Sequence, residues 1–151
     1  MIVRWVVAFL AATAVMVVLG SLSHSLMVQQ AWSDAVMTGE GAAGTLSFGE
    51  RTQWILHDLV GLQPLYGALV GIALLVAFLV GSLVARFTGL RMIVLAVAGA
   101  VAILVLFTVL KMALGTVGVF GARGTVGLGL QVAVGLIAGL VFAFLSRPRT
   151  A

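Results

Sequence analysis

Residues 92–114 read MIVLAVAGAVAILVLFTVLKMAL, a run of 23 positions in which only Thr108 and Lys111 are polar. A helix rises about 1.5 Å per residue, so roughly 20 apolar residues cross the hydrocarbon core of a bilayer. Backbone N–H and C=O groups find no water there, and a helix pairs them within a single segment. This stretch therefore predicts a membrane-spanning helix.

Three more apolar runs have the same character, and the composition agrees with them. Hydrophobic residues make up 63% of the 151 residues and charged residues 8%, whereas a soluble domain carries about 25% charged residues. We expect one membrane domain, 1–151, of the all-α class: a four-transmembrane-helix antiparallel bundle, since short connections make neighbouring helices antiparallel. The spans are predicted at about 5–23, 64–85, 91–114 and 125–146.

The long connection between the first two spans, 24–63, is predicted to be ordered. The stretch 23–37 contains no Gly or Pro, which predicts an extended first helix. Ser47 and Glu50 have the spacing of a capping box, and apolar residues at helical spacing follow them. We therefore expect a short amphipathic helix over about 48–61, lying on the outer face of the membrane.

The distribution of charge predicts the orientation of the chain. The five basic residues Arg4, Arg86, Arg91, Arg147 and Arg149 fall on one side of the predicted spans, and Arg51, Lys111 and Arg123 fall on the other. All four acidic residues lie in the 24–63 loop. Because cytoplasmic flanks carry the excess of Lys and Arg, we expect both termini in the cytoplasm, with the bacterial inner (plasma) membrane as the location.

Some side chains are expected to anchor the helices at the two membrane interfaces. Trp54 and Tyr66 fall where aromatic belts occur. Lys111, Arg86 and Arg91 lie at the ends of apolar runs, where a long basic side chain can extend its charge into the headgroup region.

Small residues recur at helical spacing in the second and fourth spans, where Gly67 and Gly71, and Gly135 and Gly139, form GxxxG patterns. Lipid supplies no hydrophobic drive for helix pairing, so small residues allow close contact instead. These faces serve either packing inside one bundle or a subunit interface, and Gln131 is expected to form an interhelical hydrogen bond. The expected packing positions are Gly67, Gly71, Gly127, Gln131, Gly135 and Gly139.

Residues that could perform chemistry are few. The chain has no cysteine, and no HxxxH or HExxH pattern. His24, His57 and Asp58 are weak candidates for a metal site or a pH sensor, because His57 and Asp58 point about 100° apart on a helix. We therefore expect no catalytic residue, no metal, no cofactor and no enzymatic activity.

The absence of catalytic patterns, together with the glycine faces, favours a structural or interaction subunit. Such a protein would form a homo-oligomer or bind a membrane-protein partner within the lipid bilayer. The alternatives are a small oligomeric channel or transporter, and a lipid- or quinone-binding membrane protein. Nucleic acid is not expected as a partner, because the net charge of +4 is spread over isolated basic residues and forms no phosphate-binding patch.

Overall fold

The computed structural model describes residues 2–38, 47–61, 63–114 and 124–147, and these ranges contain five helices and no strand. In chain order the helices are α1 (Ile2–Met37), α2 (Phe48–Gly61), α3 (Gln63–Thr88), α4 (Arg91–Leu114) and α5 (Thr125–Leu145). All except α2 are long and apolar enough to cross a membrane. The predicted all-α class is therefore confirmed, with its extended first helix and its short helix in the loop.

The first helix is much longer than a membrane span requires. Its 36 residues correspond to a length of about 54 Å, against about 30 Å for the hydrocarbon core. Helix α2 packs on the last part of α1. We call α2 together with residues 24–37 of α1 the cap.

The four long helices form a ring in which α5 packs between α1 and α4, α4 packs between α5 and α3, and α3 meets α1 more loosely. Aromatic rings fill the centre. Phe78 and Phe142 stack with their centroids 4.2 Å apart, and Trp5 packs edge-on against Phe142 at 5.3 Å. The side chains of Met16, Leu74, Leu95, Ile103 and Phe107 are also buried there.

Helices α4 and α5 approach each other backbone to backbone. A Cβ atom added at Gly99 would overlap the carbonyl oxygen of Gly135, and one added at Gly139 would overlap the carbonyl oxygen of Leu95. A Cβ at Gly135 would lie 2.7 Å from the carbonyl oxygen of Gly99. Only glycine permits this separation, so these three residues set the distance between the two helices.

A tight turn joins α3 to α4. Gly89 has a φ of 70°, a conformation that residues with a Cβ rarely adopt. Its N–H donates to the carbonyl oxygen of Ala85 at 3.1 Å. The turn reverses the chain within two residues and makes α3 and α4 antiparallel neighbours.

Candidate functional site

A buried hydrogen-bonded network centres on Gln131 of α5, whose side chain is 0% exposed. Its Oε1 accepts a hydrogen bond from the Tyr66 hydroxyl of α3 at 2.9 Å. Its Nε2 donates to the carbonyl oxygen of Gly20 of α1, also at 2.9 Å. One amide thus connects three helices, as a polar group in an apolar interior requires.

Tyr66 differs from its sequence expectation. It was predicted to sit in the interfacial aromatic belt, but its side chain is only 5% exposed and points into the bundle. Tyr66 and Gln131 satisfy each other. The buried Gln131 amide oxygen needs a donor, and the phenol hydroxyl needs an acceptor once its ring is buried. Sequence analysis linked neither residue to the other.

Gly20 is a member of the network that sequence analysis missed. A Cβ at this position would overlap the Tyr66 hydroxyl and would lie 3.0 Å from Gln131 Oε1. The glycine therefore leaves room for the Tyr66–Gln131 pair beside its own carbonyl group. A single glycine in an apolar span was the available signal, but it does not identify its neighbours.

Polar side chains continue from this network along α1 into the cap. Ser21, His24, Ser25 and Gln29 are all buried. Gln29 Nε2 donates to the backbone carbonyl of Arg51 on α2 at 3.2 Å, which ties the two helices of the cap together. Polar groups buried in this way are costly unless they are satisfied. The Ser21 hydroxyl has no hydrogen-bond partner among the described residues, whereas the Gln29 bond holds α1 against α2.

Aromatic packing adds a second link between α1 and α2. The indole rings of Trp32 and Trp54 meet edge to face with centroids 6.0 Å apart. A small recess of about 260 Å³ lies beside them. Trp54 was expected to anchor α2 at the membrane interface, whereas the structure shows its ring half-buried against α1.

The predicted capping box starts α2. The Ser47 N–H donates to Glu50 Oε2 at 2.8 Å and the Ser47 hydroxyl donates to the same oxygen at 2.7 Å. The Glu50 N–H donates back to Ser47 Oγ at 3.4 Å. The bonds from the Ser47 backbone and side chain, in that order of importance, hold the pKa of Glu50 below its usual value.

The histidines occupy different environments. His24 is buried on α1, where it has an interacting partner, and His57 is exposed on α2. The side chain of Asp58 lies outside the described residues. Within the described part of the chain, no three His, Cys, Asp or Glu side chains are grouped so that they could hold a metal ion.

The opposite end of the bundle is basic. Arg91, at the start of α4, donates through Nη2 to Ser146 Oγ at 2.6 Å and to the Ser146 carbonyl at 3.3 Å. Arg4 donates to the carbonyl of Leu145 at 3.4 Å. The beginning of α1 and the end of α5 therefore lie together. Lys111, exposed, lies near the other end of α4.

The glycine positions divide into two groups. Gly135 and Gly139 face α4 inside the chain, and Gly127 is buried on the same helix. Gly71 is half-buried, and a Cβ there would have only Thr13 Cγ2 nearby, at 3.9 Å. The fourth-span pattern is thus occupied by packing inside one chain. Gly71 of the second span lies near α1, where the contact between α3 and α1 is looser than that between α3 and α4.

An apolar groove runs along the outside of the bundle between α3 and α4. Its volume is about 650 Å³. Small residues contribute to its lining and valine side chains project along its sides. The small residues are Ala73, Ala77, Gly81, Ala98 and Ala102.

These features define an all-α integral membrane protein: a four-helix bundle with an ordered cap at one end and an arginine cluster at the other. No protein-family model, no curated protein and no solved structure matches this chain.

Proposed function

We propose that this chain is a structural or interaction subunit of a membrane complex, without enzymatic activity, whose cap binds a membrane-protein partner or a second copy of the chain. We further propose that it resides in the bacterial inner membrane with both termini in the cytoplasm. The cap would then lie on the outer side.

The observation that carries this proposal is the continuity of α1 from the bundle into the cap. A single uninterrupted helix couples the two rigidly, and the Trp32–Trp54 contact and the Gln29 hydrogen bond hold α2 against it. An ordered surface outside the span is the kind that a partner can bind without first ordering it.

Exposed apolar side chains on the surface of the cap also support a role in binding a partner. Phe48 and Val60 of α2 are 87% and 75% exposed, and Leu56, about one helical turn before Val60, is also exposed. Exposed apolar side chains rimmed by polar residues are typical of sites that meet a protein or a membrane surface. We expect α2 to lie at the outer membrane surface and to contribute this apolar face to the partner contact.

The interior favours this function over transport through a single chain. Stacked and edge-on aromatic rings fill the centre of the described bundle, and the Gln131 amide is satisfied by two hydrogen bonds. A polar path usually requires ionisable or hydrated side chains along the span. A channel would therefore have to form between copies of the chain.

Site-specific photo-crosslinking in cells tests the proposal. A photoreactive residue is placed at Leu56 or at Gln30, both exposed in the cap, and at Val7, exposed near the opposite end of α1. We expect one discrete crosslinked polypeptide from the two cap positions and none from Val7. Lipid adducts alone at all three positions, together with a monomeric mass in mild detergent, would overturn the proposed role.

A further inference from the structure

The arginine end of the bundle concentrates positive charge, and no carboxylate among the described side chains lies there. Arg4, Arg86, Arg91 and Arg147 lie where α1 begins, α3 ends, α4 begins and α5 ends. The carboxylates with described side chains are Asp34 and Glu50, and both belong to the cap at the other end of the molecule. Among the described residues, the chain itself therefore places no carboxylate at the arginine end, which suits this end to bind an external anion.

Arg91 has two other arginines in its electrostatic surroundings. Arg86 and Arg147 both lie near enough to Arg91 for electrostatic repulsion. Arg91 uses Nη2 to bind Ser146, while its Nε is buried with no hydrogen-bond partner. A phosphate beside Arg91 would accept hydrogen bonds from guanidinium groups and would offset their repulsion.

The backbone at the same place adds to the attraction. Helix α4 has 24 residues and begins at Arg91, so the partial positive charge of its N-terminus lies beside the arginines. An arginine at a helix N-terminus is unfavourable by itself. A phosphate at this place would reverse the sign of that interaction, because it could meet both the guanidinium and the free N–H groups of the first turn.

The apolar groove between α3 and α4 starts at this end. Val84 and Val94 line it nearest the arginines, and Leu69 and Val109 line its far end. Positions 69 and 84 are separated by about 22 Å along the helix, more than half of the roughly 30 Å hydrocarbon core. A groove of this length and polarity fits an acyl chain whose headgroup lies at the arginines.

We propose that the α3–α4 groove and the arginine cluster at its end form a binding site for one anionic phospholipid, with the phosphate held by Arg86, Arg91 and Arg147 and an acyl chain in the groove. The proposal is independent of the partner-binding role of the cap. Both halves of the site are needed for selectivity. A zwitterionic lipid would fill the groove but carries no net negative charge for the arginines, and a free anion would meet the arginines but has no acyl chain for the groove.

Lipid titration of the purified full-length protein tests this site. Phosphatidylglycerol and phosphatidylcholine with identical chains are added separately in mild detergent, and bound lipid is counted by native mass spectrometry. We expect phosphatidylglycerol to be retained preferentially at a stoichiometry of one. Equal retention of the two lipids, or displacement of phosphatidylglycerol by millimolar inorganic phosphate alone, would overturn the proposal.

Two pairs of variants separate the halves of the site. Arg86→Gln is expected to weaken phosphatidylglycerol binding about fivefold, whereas Lys111→Gln, at the other end of α4, leaves it unchanged. Ala77→Leu fills the groove and is expected to weaken binding of the same lipid, whereas Ala14→Leu, exposed on α1, does not. If Ala77→Leu binds normally, or if Lys111→Gln loses as much affinity as Arg86→Gln, the site is not where we place it.

Discussion

Gln131 illustrates how one side chain can select the arrangement of several helices. Its amide offers both an acceptor and a donor, and the bundle supplies one partner for each, on two different helices. In an apolar interior, any rotation of α5 that separates these groups leaves polar atoms unpaired. The residue therefore contributes to specificity of packing as well as to stability.

Replacing Gln131 with Leu should lower the free energy of unfolding by about 1–2 kcal/mol, because the Tyr66 hydroxyl and the Gly20 carbonyl each lose a partner. Tyr66→Phe removes only one of the two bonds and should have a smaller effect. Reversible unfolding in mixed micelles measures both changes. A double-mutant cycle should give a coupling of about 0.6 kcal/mol or more. Strictly additive effects would show that the two side chains do not interact.

At the scale of elements, the contact between α4 and α5 depends on the absence of side chains. The carbonyl oxygen of Gly135 occupies the space that a Cβ at position 99 would need. Packed interiors tolerate added volume poorly, since a neighbouring backbone cannot move without shifting its whole helix.

Gly99→Ala should therefore destabilise the bundle by roughly 1–3 kcal/mol, measured as a lower unfolding midpoint in detergent. Gly129→Ala is the matched control on α5, because a Cβ there meets nothing within 4 Å. That control should be neutral or slightly stabilising, since alanine favours helix more than glycine does. Equal destabilisation by the two substitutions would contradict the close approach at Gly99, because helix propensity favours alanine at both positions.

The start of α2 should respond to acid. Hydrogen bonds from Ser47 lower the pKa of Glu50 in the folded cap, so the ionised carboxylate stabilises the helix start above the ordinary glutamate pKa. This stabilisation is lost as the pH falls through the lowered pKa. Hydrogen exchange of α2 amides should therefore accelerate, after correction for intrinsic rates, on going from pH 6 to pH 3.

Glu50→Gln provides the control for this acid response. Glutamine can still bond to the Ser47 N–H as a member of a capping box, but it does not titrate. Protection of α2 in this variant should remain while its dependence on pH between 6 and 3 disappears. A response to acid that is the same in both proteins would assign the effect to another group.

At the scale of the whole molecule, the arginine cluster lies at one end of the bundle and the described carboxylates lie at the other. The first turn of α1 and the last turn of α5 meet at the arginine end, where Arg4 bonds to the Leu145 carbonyl. The cap carries the described carboxylates at the other end. The proposed orientation, with the arginine cluster in the cytoplasm, rests on this asymmetry.

Single-cysteine labelling tests the orientation directly, because the chain contains no cysteine. Cysteines at Val3, Leu90 and Arg147 should react with a membrane-impermeant maleimide only after permeabilisation. A cysteine at Gln30 should react in intact cells. Reaction of positions 3 and 147 from opposite sides would exclude the four-span arrangement.

The sequence by itself determined the helices of this protein, because their causes are local. Four runs are long and apolar enough to require helix in lipid, the stretch 23–37 lacks a helix breaker, and Ser47 and Glu50 cap α2 through their own neighbouring backbone. These features depend on chain length, solvent and contacts three residues apart, all of which can be read without knowing the fold.

Only the tertiary structure decided which face of each helix is inward. The spanning helices are apolar nearly all round, and lipid solvates any apolar face, so hydrophobicity does not specify their rotation. The inward position of Tyr66, its pairing with Gln131 beside Gly20, and the contact of Trp54 with Trp32 follow from matching shapes and polar partners between helices. Those matches join residues up to 111 positions apart in the chain, and no local pattern encodes them.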